Sequence, residues 1–330
     1  WYQTYKKTNL RPNTQMSYER RIYQHIIPEL GKIPLNQLAQ KDLQQFYARM
    51  KTGGRLIRTE QFGKGLSDSM VRGLHAACRS ALEKAVQEEL IRTNPAVGCK
   101  LPPKRGREMQ VLGREELQRF LIQAQAEGYY ELFLMDLCTG LRRGELLALQ
   151  WTDLSVKERI LTVNKQVTRM EGELDVTEPK TKNSVRKVAL SQQAVDLLVQ
   201  EHEQHPDNPI LFPSPRTGGY WSPDAVSRIN RKLLKNAGIE EHVRFHDLRH
   251  TFATMAISSG VDVKTLSSML GHYSAGFTLD TYTHITNDMQ RGAAEKIGGF
   301  MESATATPTP EPPDPPEQSR CKVIPFEKVG

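Results

Sequence analysis

The chain has 330 residues, of which 38% are hydrophobic and 25% are charged, and its formal net charge at pH 7 is +7. This length exceeds a typical single hydrophobic core, so two domains joined by a linker are expected. No apolar run reaches the roughly 18 residues of a membrane span, no signal peptide opens the chain, and the four cysteines form no C-x-x-C pair. A membrane protein, a disulfide-bonded secreted domain and a zinc-binding module are therefore not expected.

The positive charge is concentrated in the first third of the chain. Residues 1–105 contain 19 Lys and Arg against 8 Asp and Glu, whereas residues 106–300 contain 23 against 25. A basic segment followed by a near-neutral one predicts that the first provides much of a surface for a polyanion. The second segment is then expected to bind through a few well-placed side chains.

Two amphipathic helices are expected near the amino terminus. Apolar residues recur at helical spacing in residues 12–28, where Pro28 ends the pattern, and again in residues 41–51. Helical patterns, short loops and basic residues together predict a helical domain over residues 1–100.

A loop and a longer helix complete this domain. Residues 53–68 are rich in glycine and lack periodicity, which predicts a loop. Ser67 or Asp68 then caps a helix over residues 69–89. The Pro- and charge-rich residues 101–112 predict a linker to the next domain.

Residues 113–302 are expected to form a second domain that begins with helices. Helical patterns cover residues 114–126 and 130–138, and Gly140 stands where a C-cap glycine belongs. A third helix is expected directly afterwards, over residues 143–151.

A small antiparallel sheet is expected next. β-branched residues alternate over residues 159–169 and again over 185–190, which predicts about three strands, with a first turn long enough to project a hairpin. Further helical patterns cover residues 191–205, 222–238 and 287–301. Residues 303–330 are Pro-rich and predict a disordered tail. The expected fold class is thus mainly α with a small antiparallel β-sheet.

Residues 243–285 contain side chains suited to phosphate chemistry. His246 and Arg249 are three residues apart, which puts both on one face of a helix, where they could hold the same anion. His272 follows a glycine, and Tyr282 comes ten residues later in a position that reads as exposed.

This arrangement resembles the signature of the tyrosine recombinases, the phage-integrase family: H-x-x-R, then L-G-H, then a tyrosine about ten residues later. Upstream, T-G-L-R-R-G-E at 139–145 and P-K-T-K-N-S-V-R at 179–186 stand in the expected order. The P-K-T-K-x-S turn and the helical first domain look most like integrases of conjugative transposons and phages. The resemblance implies a helical core-binding domain and a catalytic domain that close around duplex DNA from opposite sides.

The resemblance also implies a catalytic role for six residues. They are Tyr282, Arg142, Lys180, His246, Arg249 and His272. Tyr282 would attack the scissile phosphate to form a 3′-phosphotyrosyl bond, and the released 5′-hydroxyl would later attack a partner strand. Arg142 and Arg249 would neutralise charge on the phosphate. His246 and His272 would take the tyrosine proton or hydrogen-bond the non-bridging oxygens. No metal, cofactor or ATP is implied.

Further basic residues are expected to contact DNA. Lys180 resembles the family's catalytic lysine and would protonate the leaving 5′-oxygen, with Lys182 as the alternative general acid. If Lys180 has that role, Lys182 would contact a neighbouring phosphate or base edge. Lys104, Arg105 and Arg107 of the linker would run along the phosphate backbone.

Five nearby residues receive other assignments. Arg143 is expected to be solvated, and Glu145 is expected to support the turn or orient an arginine. Tyr273 is a rival nucleophile, although the family places its tyrosine further along the chain. His250 and His284 are expected to pack locally rather than take part in the chemistry.

The expected partners follow from the same resemblance. They are double-stranded DNA at attachment sites, a Holliday junction, further copies of this chain in a tetramer held by the helix at 287–301, and accessory DNA-bending or excision factors. The expected location is the bacterial cytoplasm, at the nucleoid. Two alternatives stay open: a DNA-binding accessory protein with a decayed site, and strand relaxation like that of a type IB topoisomerase. The chain begins at Trp1, as expected of a fragment, and whether an arm-binding domain precedes it stays open.

Overall fold

The computed structural model describes residues 1–104, 109–170, 172–178, 185–239, 243–272, 274–279, 281–282 and 294–301. Several residues singled out in the sequence lie outside this part: Arg105, Arg107, Lys180, Lys182, Tyr273, His284, and residues 302–330.

The first long helix is interrupted but continues further than expected. It consists of α1 (Pro12–Arg21), a π-helical turn (Ile22–Ile26) and α2 (Ile27–Leu30). The expectation that Pro28 ends the helix is wrong. Pro28 lies in the first turn of α2, a position where the absent amide hydrogen of proline is tolerated.

Two helices form the centre of the amino-terminal half. They are α3 (Gln40–Gly53) and α5 (Asp68–Gln87), and the loop between them contains one short helix, α4 (Thr59–Phe62). Ser67 caps α5 as expected, because its hydroxyl accepts a hydrogen bond from the amide of Met70 at 3.2 Å. Side chains of α3 and α5 share a buried core that includes Leu43, Phe46, Val71 and Leu74.

A second core lies in the remainder of the chain. Its helices are α6 (Arg114–Ala126), α7 (Tyr130–Thr139), α8 (Arg143–Leu146), α9 (Gln192–Gln204), α10 (Pro223–Asn236), α11 (Phe245–Ser258) and α12 (Val263–Leu270). The expected helix over residues 143–151 is wrong beyond its first turn. All four side chains from Leu146 to Leu149 are buried, and the carbonyl of Leu149 accepts a hydrogen bond from the amide of Leu211 instead of continuing a helix.

Within the described part of the chain, five short strands form two separate antiparallel sheets. Strands β1 (Leu154–Ser155), β2 (Ile160–Val163) and β5 (Arg186–Ala189) pair in the order β1-β2-β5. Strands β3 (Gln166–Met170) and β4 (Glu173–Thr177) pair only with each other, as a hairpin. About three strands were expected over residues 160–190, whereas the described residues of that range contain four, β2 to β5, and β1 lies before it. The expected projecting hairpin is observed as β3 and β4. Most side chains of this hairpin are at least partly exposed, so the second sheet lies largely outside the buried core.

The described carboxyl-terminal residues are helical. Residues 275–279 and 281–282 follow α12, and residues 294–301 form a helix whose side chains are all exposed. The expected helix at 287–301 is thus observed only over its described portion. No helix within the described ranges is long and apolar enough to cross a bilayer.

Candidate active site

The turn after α7 brings the second core's helices close to one another. Gly140 ends α7 with a positive φ of 59°, as the sequence predicts for a C-cap glycine. A Cβ atom at this position would lie 2.3 Å from the ring of Phe252 in α11 and 2.9 Å from a methyl group of Leu270 in α12. Glycine therefore allows the turn to pack directly against both helices.

One buried carboxylate organises two arginines next to this turn. Glu145 of α8 is 2% exposed, and its Oε1 accepts a hydrogen bond from Nη1 of Arg142 at 2.8 Å. Its Oε2 accepts one from Nη2 of Arg186 in β5 at 2.9 Å. Nη2 of Arg142 also donates to the carbonyl of Gly271 at 3.0 Å. Arg142 and Arg186 are therefore fixed by the same acidic side chain.

Arg249 reaches the same turn from α11. Its Nη1 donates to the carbonyl of Gly140 at 2.7 Å, and its Nη2 donates to the carbonyl of Leu270 at 2.6 Å. The side chain is almost completely buried. Arginines from three distant segments of the chain thus meet where α7 and α12 end.

The charges in this group perturb one another. Burial, followed by the charge of Arg142, lowers the pKa of Arg249 to about 9, so that the guanidinium remains charged at neutral pH. Burial raises the pKa of Glu145, but its hydrogen bond with Arg186 and the charges of Arg186 and Arg142 outweigh this and hold it below its ordinary value. Three arginines face one ionised carboxylate, so the group carries excess positive charge suited to a phosphate.

His246 and His272 both lie near Arg249, whose charge contributes to lowering the pKa of each histidine. Burial, then the positive charges of Arg249 and Arg142, lower the pKa of His272 to about 3, and its Nδ1 is 2.8 Å from Oγ1 of Thr278. His246 is at the solvent edge of α11. The structure therefore brings five of the six expected catalytic residues into one neighbourhood, whereas Lys180 lies outside the described residues. The five are Arg142, His246, Arg249, His272 and Tyr282.

Tyr282 is buried, contrary to the expectation that it is exposed. Its ring is 1% exposed and packs against α11 and α12 in a small cluster that includes Phe252, Leu266 and Leu270. Burial raises the pKa of its hydroxyl to about 12, against a lowering effect from Arg249.

His250 contacts the expected nucleophile. Its Nδ1 is 2.7 Å from the hydroxyl oxygen of Tyr282, which is hydrogen-bonding distance. The sequence expectation of local packing considered only the position of His250 beside Arg249 and did not include this contact. His246 and His250 are four residues apart in α11, and their ring centroids are 5.3 Å apart.

Arg143 is only partly solvated. Its guanidinium is half-buried, and its Nη1 donates a hydrogen bond to the hydroxyl of Ser227 in α10. Burial lowers the pKa of Arg143, while the carboxylate of Asp224 acts in the opposite direction. The residue was misjudged because its partner is 84 positions further along the chain, in a helix that sequence spacing does not relate to this turn.

The sequence analysis did not identify two further ionisable residues of this site, Arg186 and Asp136. Arg186 ends the P-K-T-K-N-S-V-R motif, and the alternation of β5 places it on the same buried face as Val188. That alternation could have identified it. Asp136 of α7 is completely buried, and neither of its carboxylate oxygens has a hydrogen-bond partner among the described residues. Burial raises the pKa of Asp136 well above its ordinary value.

Comparison with known proteins agrees with this arrangement. The phage integrase family matches residues 110–289, which is more than half of the chain, and the N-terminal SAM-like domain of phage integrases matches residues 1–51. The chain therefore belongs to the phage integrase family. It is a site-specific tyrosine recombinase, an enzyme that acts on DNA. The family resemblance expected from the sequence motifs is thus confirmed.

Curated relatives are similar over most of their length. The ICEBs1 integrase of Bacillus subtilis is 27% identical over 304 residues, which cover 88% of this chain and 79% of that protein. A XerC-like tyrosine recombinase of Caldanaerobacter subterraneus is 26% identical over 330 residues, covering 91% of this chain and 81% of that protein.

Solved structures share the fold. The Tn1549 transposon integrase, in complex with transposon right end DNA, superimposes with a TM-score of 0.75 at 24% identity, covering 90% of this chain and 97% of that one. A lambda integrase tetramer bound to a Holliday junction gives a TM-score of 0.60 at 19% identity, covering 81% of this chain and 74% of that one. The expected fold class, mainly α with a small antiparallel sheet, is confirmed.

Proposed function

We propose that this recombinase cuts DNA with Tyr282 as its nucleophile, while Arg142 and Arg249 hold the scissile phosphate. The observation that carries this proposal is the meeting of Arg142, Arg186 and Arg249 around a single ionised carboxylate, Glu145, at the ends of α7 and α12. A phosphate bound there would balance the excess positive charge.

The arginines would favour the reaction through charge. Attack on a phosphodiester concentrates negative charge on the non-bridging oxygens, and positioned arginines in other phosphoryl transfers increase the rate on the order of 10³ to 10⁵. Arg142 is the more accessible of the two, since its side chain is 38% exposed, so it would meet the phosphate from the solvent side. His246 and His272 would hydrogen-bond the non-bridging oxygens.

The leaving 5′-oxygen needs a proton donor on the far side of the phosphorus from Tyr282. Arginine is too weak an acid, so a lysine of the P-K-T-K motif, which lies between β4 and β5 in the sequence, is the better donor. We assign this role to Lys180, with Lys182 as the alternative. A substrate with sulfur at the bridging position needs no protonation of its leaving group. Lys180→Ala should therefore be slow on normal DNA and largely restored on the sulfur substrate, and restoration seen only with Lys182→Ala would transfer the role.

The DNA would lie between two units of the chain. We assign residues 1–100 to the core-binding unit, 101–112 to the linker and 113–302 to the catalytic unit, with a Pro-rich tail beyond. Lys104, which is exposed, would contact the phosphate backbone together with Arg105 and Arg107. The excess of basic residues in the first third of the chain supports this arrangement.

The biological reaction is the integration and excision of a mobile element. Support comes from the similarity to the ICEBs1 integrase and to the Tn1549 transposon integrase, which was solved with transposon right end DNA. Recombination would proceed through a Holliday junction held by four copies of this chain, with the helix at 294–301 joining neighbouring protomers. The lambda integrase tetramer on a Holliday junction supports this assembly. Accessory DNA-bending or excision factors would set the direction.

Covalent trapping tests the proposal. A pool of nicked duplexes with randomised sequence is incubated with the protein, and duplexes that remain attached after denaturation are recovered and sequenced. The recovered duplex then serves as substrate for Tyr282→Phe, which removes one hydroxyl and little surface. The variant should bind this DNA normally and form no denaturant-resistant adduct. Adduct formation by Tyr282→Phe would assign the nucleophile to another residue, with Tyr273 as the first candidate.

A further inference from the structure

The hydroxyl of Tyr282 has a single hydrogen-bond partner among the described residues. That partner is Nδ1 of His250, at 2.7 Å, and the two ring centroids are 5.8 Å apart. Because the tyrosine ring is 1% exposed, water has little access to the hydroxyl. A proton that leaves this oxygen therefore has a nitrogen acceptor already within reach.

The other two histidines of the site are less suited to accept this proton. Nδ1 of His272 is occupied by Oγ1 of Thr278 at 2.8 Å. His246 contacts the ring of His250 edge-on, and no hydrogen bond joins it to Tyr282 among the described residues. Both remain available to face the non-bridging oxygens of a bound phosphate.

We propose that His250 is the general base that removes the proton of Tyr282 as the tyrosine attacks DNA. The inference rests on the proposed role of Tyr282 as nucleophile, and it adds a catalytic residue that contacts the reacting oxygen. Neutral His250 accepts through Nδ1 and carries its own hydrogen on Nε2.

The step balances in both directions. In cleavage, the Tyr282 oxygen bonds to phosphorus while its proton passes to Nδ1 of His250, and the bond from phosphorus to the 5′-oxygen breaks as that oxygen takes a proton from Lys180. In rejoining, the 5′-hydroxyl attacks the phosphotyrosine and gives its proton back to neutral Lys180. The bond from phosphorus to the Tyr282 oxygen breaks, and protonated His250 returns its proton to that oxygen. No metal or redox partner enters the step.

The surroundings keep His250 in the form that can accept a proton. Burial lowers its pKa, the carboxylate of Asp247 acts in the opposite direction, and the guanidinium groups of Arg249 and Arg244 lower it further. The ring of His246 also contacts it from the same helix. His250 is therefore neutral at physiological pH. The Tyr282 phenol becomes acidic enough to release its proton only as its oxygen bonds to phosphorus, so transfer accompanies attack.

His250→Gln is the informative substitution, because glutamine keeps a hydrogen-bonding group near the hydroxyl but cannot serve as a base. Single-turnover cleavage of the selected nicked duplex should slow about 100-fold or more, within the usual range for general base catalysis, while DNA binding is retained. His205→Gln, made at the end of α9 on another half-buried histidine, is the matched control and should cleave at the parent rate.

A fluorinated tyrosine at position 282 separates proton removal from positioning. Its phenol ionises at lower pH, so it needs less help from a base. With fluorotyrosine at position 282, the factor by which His250→Gln slows single-turnover cleavage relative to the parent should be at least about tenfold smaller. If His250 only positioned the ring, this factor would be the same with either tyrosine, and that result overturns the inference. A His250→Gln protein that cleaves at the rate of His205→Gln overturns it as well.

Different results would reject the proposal that Tyr282 is the nucleophile. A parent protein that forms no adduct, or an adduct that persists in Tyr282→Phe, removes Tyr282 as the nucleophile. If the adduct is lost in Tyr282→Phe but forms at the parent rate in His250→Gln, Tyr282 remains the nucleophile and only the role of His250 as general base is rejected. A thermal unfolding midpoint of His250→Gln close to that of the parent shows that a slow rate is not caused by misfolding.

Discussion

At the scale of single residues, Glu145 determines the geometry of the site. Its two carboxylate oxygens each accept a hydrogen bond from a different arginine, and a third bond comes from the backbone amide of Arg142 at 3.0 Å. The carboxylate is 2% exposed, and the side chain of Arg186 is 6% exposed. A buried ion pair contributes little net stability, but the loss of one partner is costly because the other charge remains buried.

Glu145→Gln should therefore lower both stability and activity. The amide cannot balance the buried guanidinium of Arg186, so the free energy of unfolding should fall by about 3 kcal/mol. Denaturant unfolding measures this, with the exposed Glu158→Gln as control. Equal stability of the two variants would show that the Arg186 charge is compensated elsewhere.

The buried histidines should make stability depend on pH. The pKa of His272 is about 3 in the folded protein, whereas an unfolded histidine has its ordinary value of about 6.5. Between these values the unfolded chain binds a proton that the folded chain does not. The free energy of unfolding should consequently decrease as pH falls below about 6.5, by at most about 1.4 kcal/mol per pH unit for this group. In His272→Asn the decrease from about pH 7 to about pH 5 should be smaller; an unchanged decrease would contradict the assignment.

Sequence spacing could identify some of these residues but not others. The three-residue interval between His246 and Arg249 correctly placed them on one helix face, because helical geometry is local. The same rule applied to His246 and His250 would have indicated their contact. The Arg143 contact with Ser227 depends on how α8 meets α10, which no local pattern encodes.

At the scale of elements, strongly periodic segments were the most predictable. Helix α6 matches its expected range of 114–126, and α7 and α9 differ by a residue or two at their ends. The segment after Leu146 could not be predicted in this way. Its consecutive apolar residues have no polar face, so periodicity cannot distinguish a buried helix from the buried turn that is observed.

The carboxyl-terminal helix is the element on which the proposed assembly depends. Ile297 lies in this helix and is 64% exposed, and Phe300 and Met301 of the same helix are 70% and 55% exposed. Three large apolar side chains exposed within five residues are typical of a surface that another protein covers. Ile297→Asp should reduce the number of protomers that assemble cooperatively on DNA, as measured by mass photometry. Lys296→Asn, at the adjacent exposed position, is the control. Assembly that is unchanged in Ile297→Asp would argue against a joining role for this helix.

At the scale of the whole molecule, charge is distributed unequally along the chain. Residues 1–105 contain 19 Lys and Arg against 8 Asp and Glu, whereas residues 106–300, which include the arginine group, contain 23 against 25. The amino-acid composition alone predicts that residues 1–105 provide much of the surface for a polyanion, because the prediction requires only a count of charged residues. How the two segments contact DNA depends on their relative orientation, which composition does not encode.

DNA affinity should accordingly depend on salt mainly through the amino-terminal third. Replacing the exposed Lys32, Lys41 and Lys64 with glutamine should lower the slope of log affinity against log salt by about 1 to 3, since each lost phosphate contact contributes about 0.9. The matched control replaces three exposed basic residues of the near-neutral segment 106–300: Lys157, Arg216 and Lys264. If both triple variants change the slope of log affinity against log salt equally, residues 1–105 are not the main source of the salt dependence.

The most direct measurement identifies the amino acid that carries DNA in the trapped adduct. The denatured adduct is digested with nuclease and protease, and the peptide that retains a nucleotide is sequenced by tandem mass spectrometry. The nucleotide should be attached to the side chain at position 282, in the sequence D-T-Y-T-H. Attachment at Tyr273, or at any other residue, would contradict the account of this site.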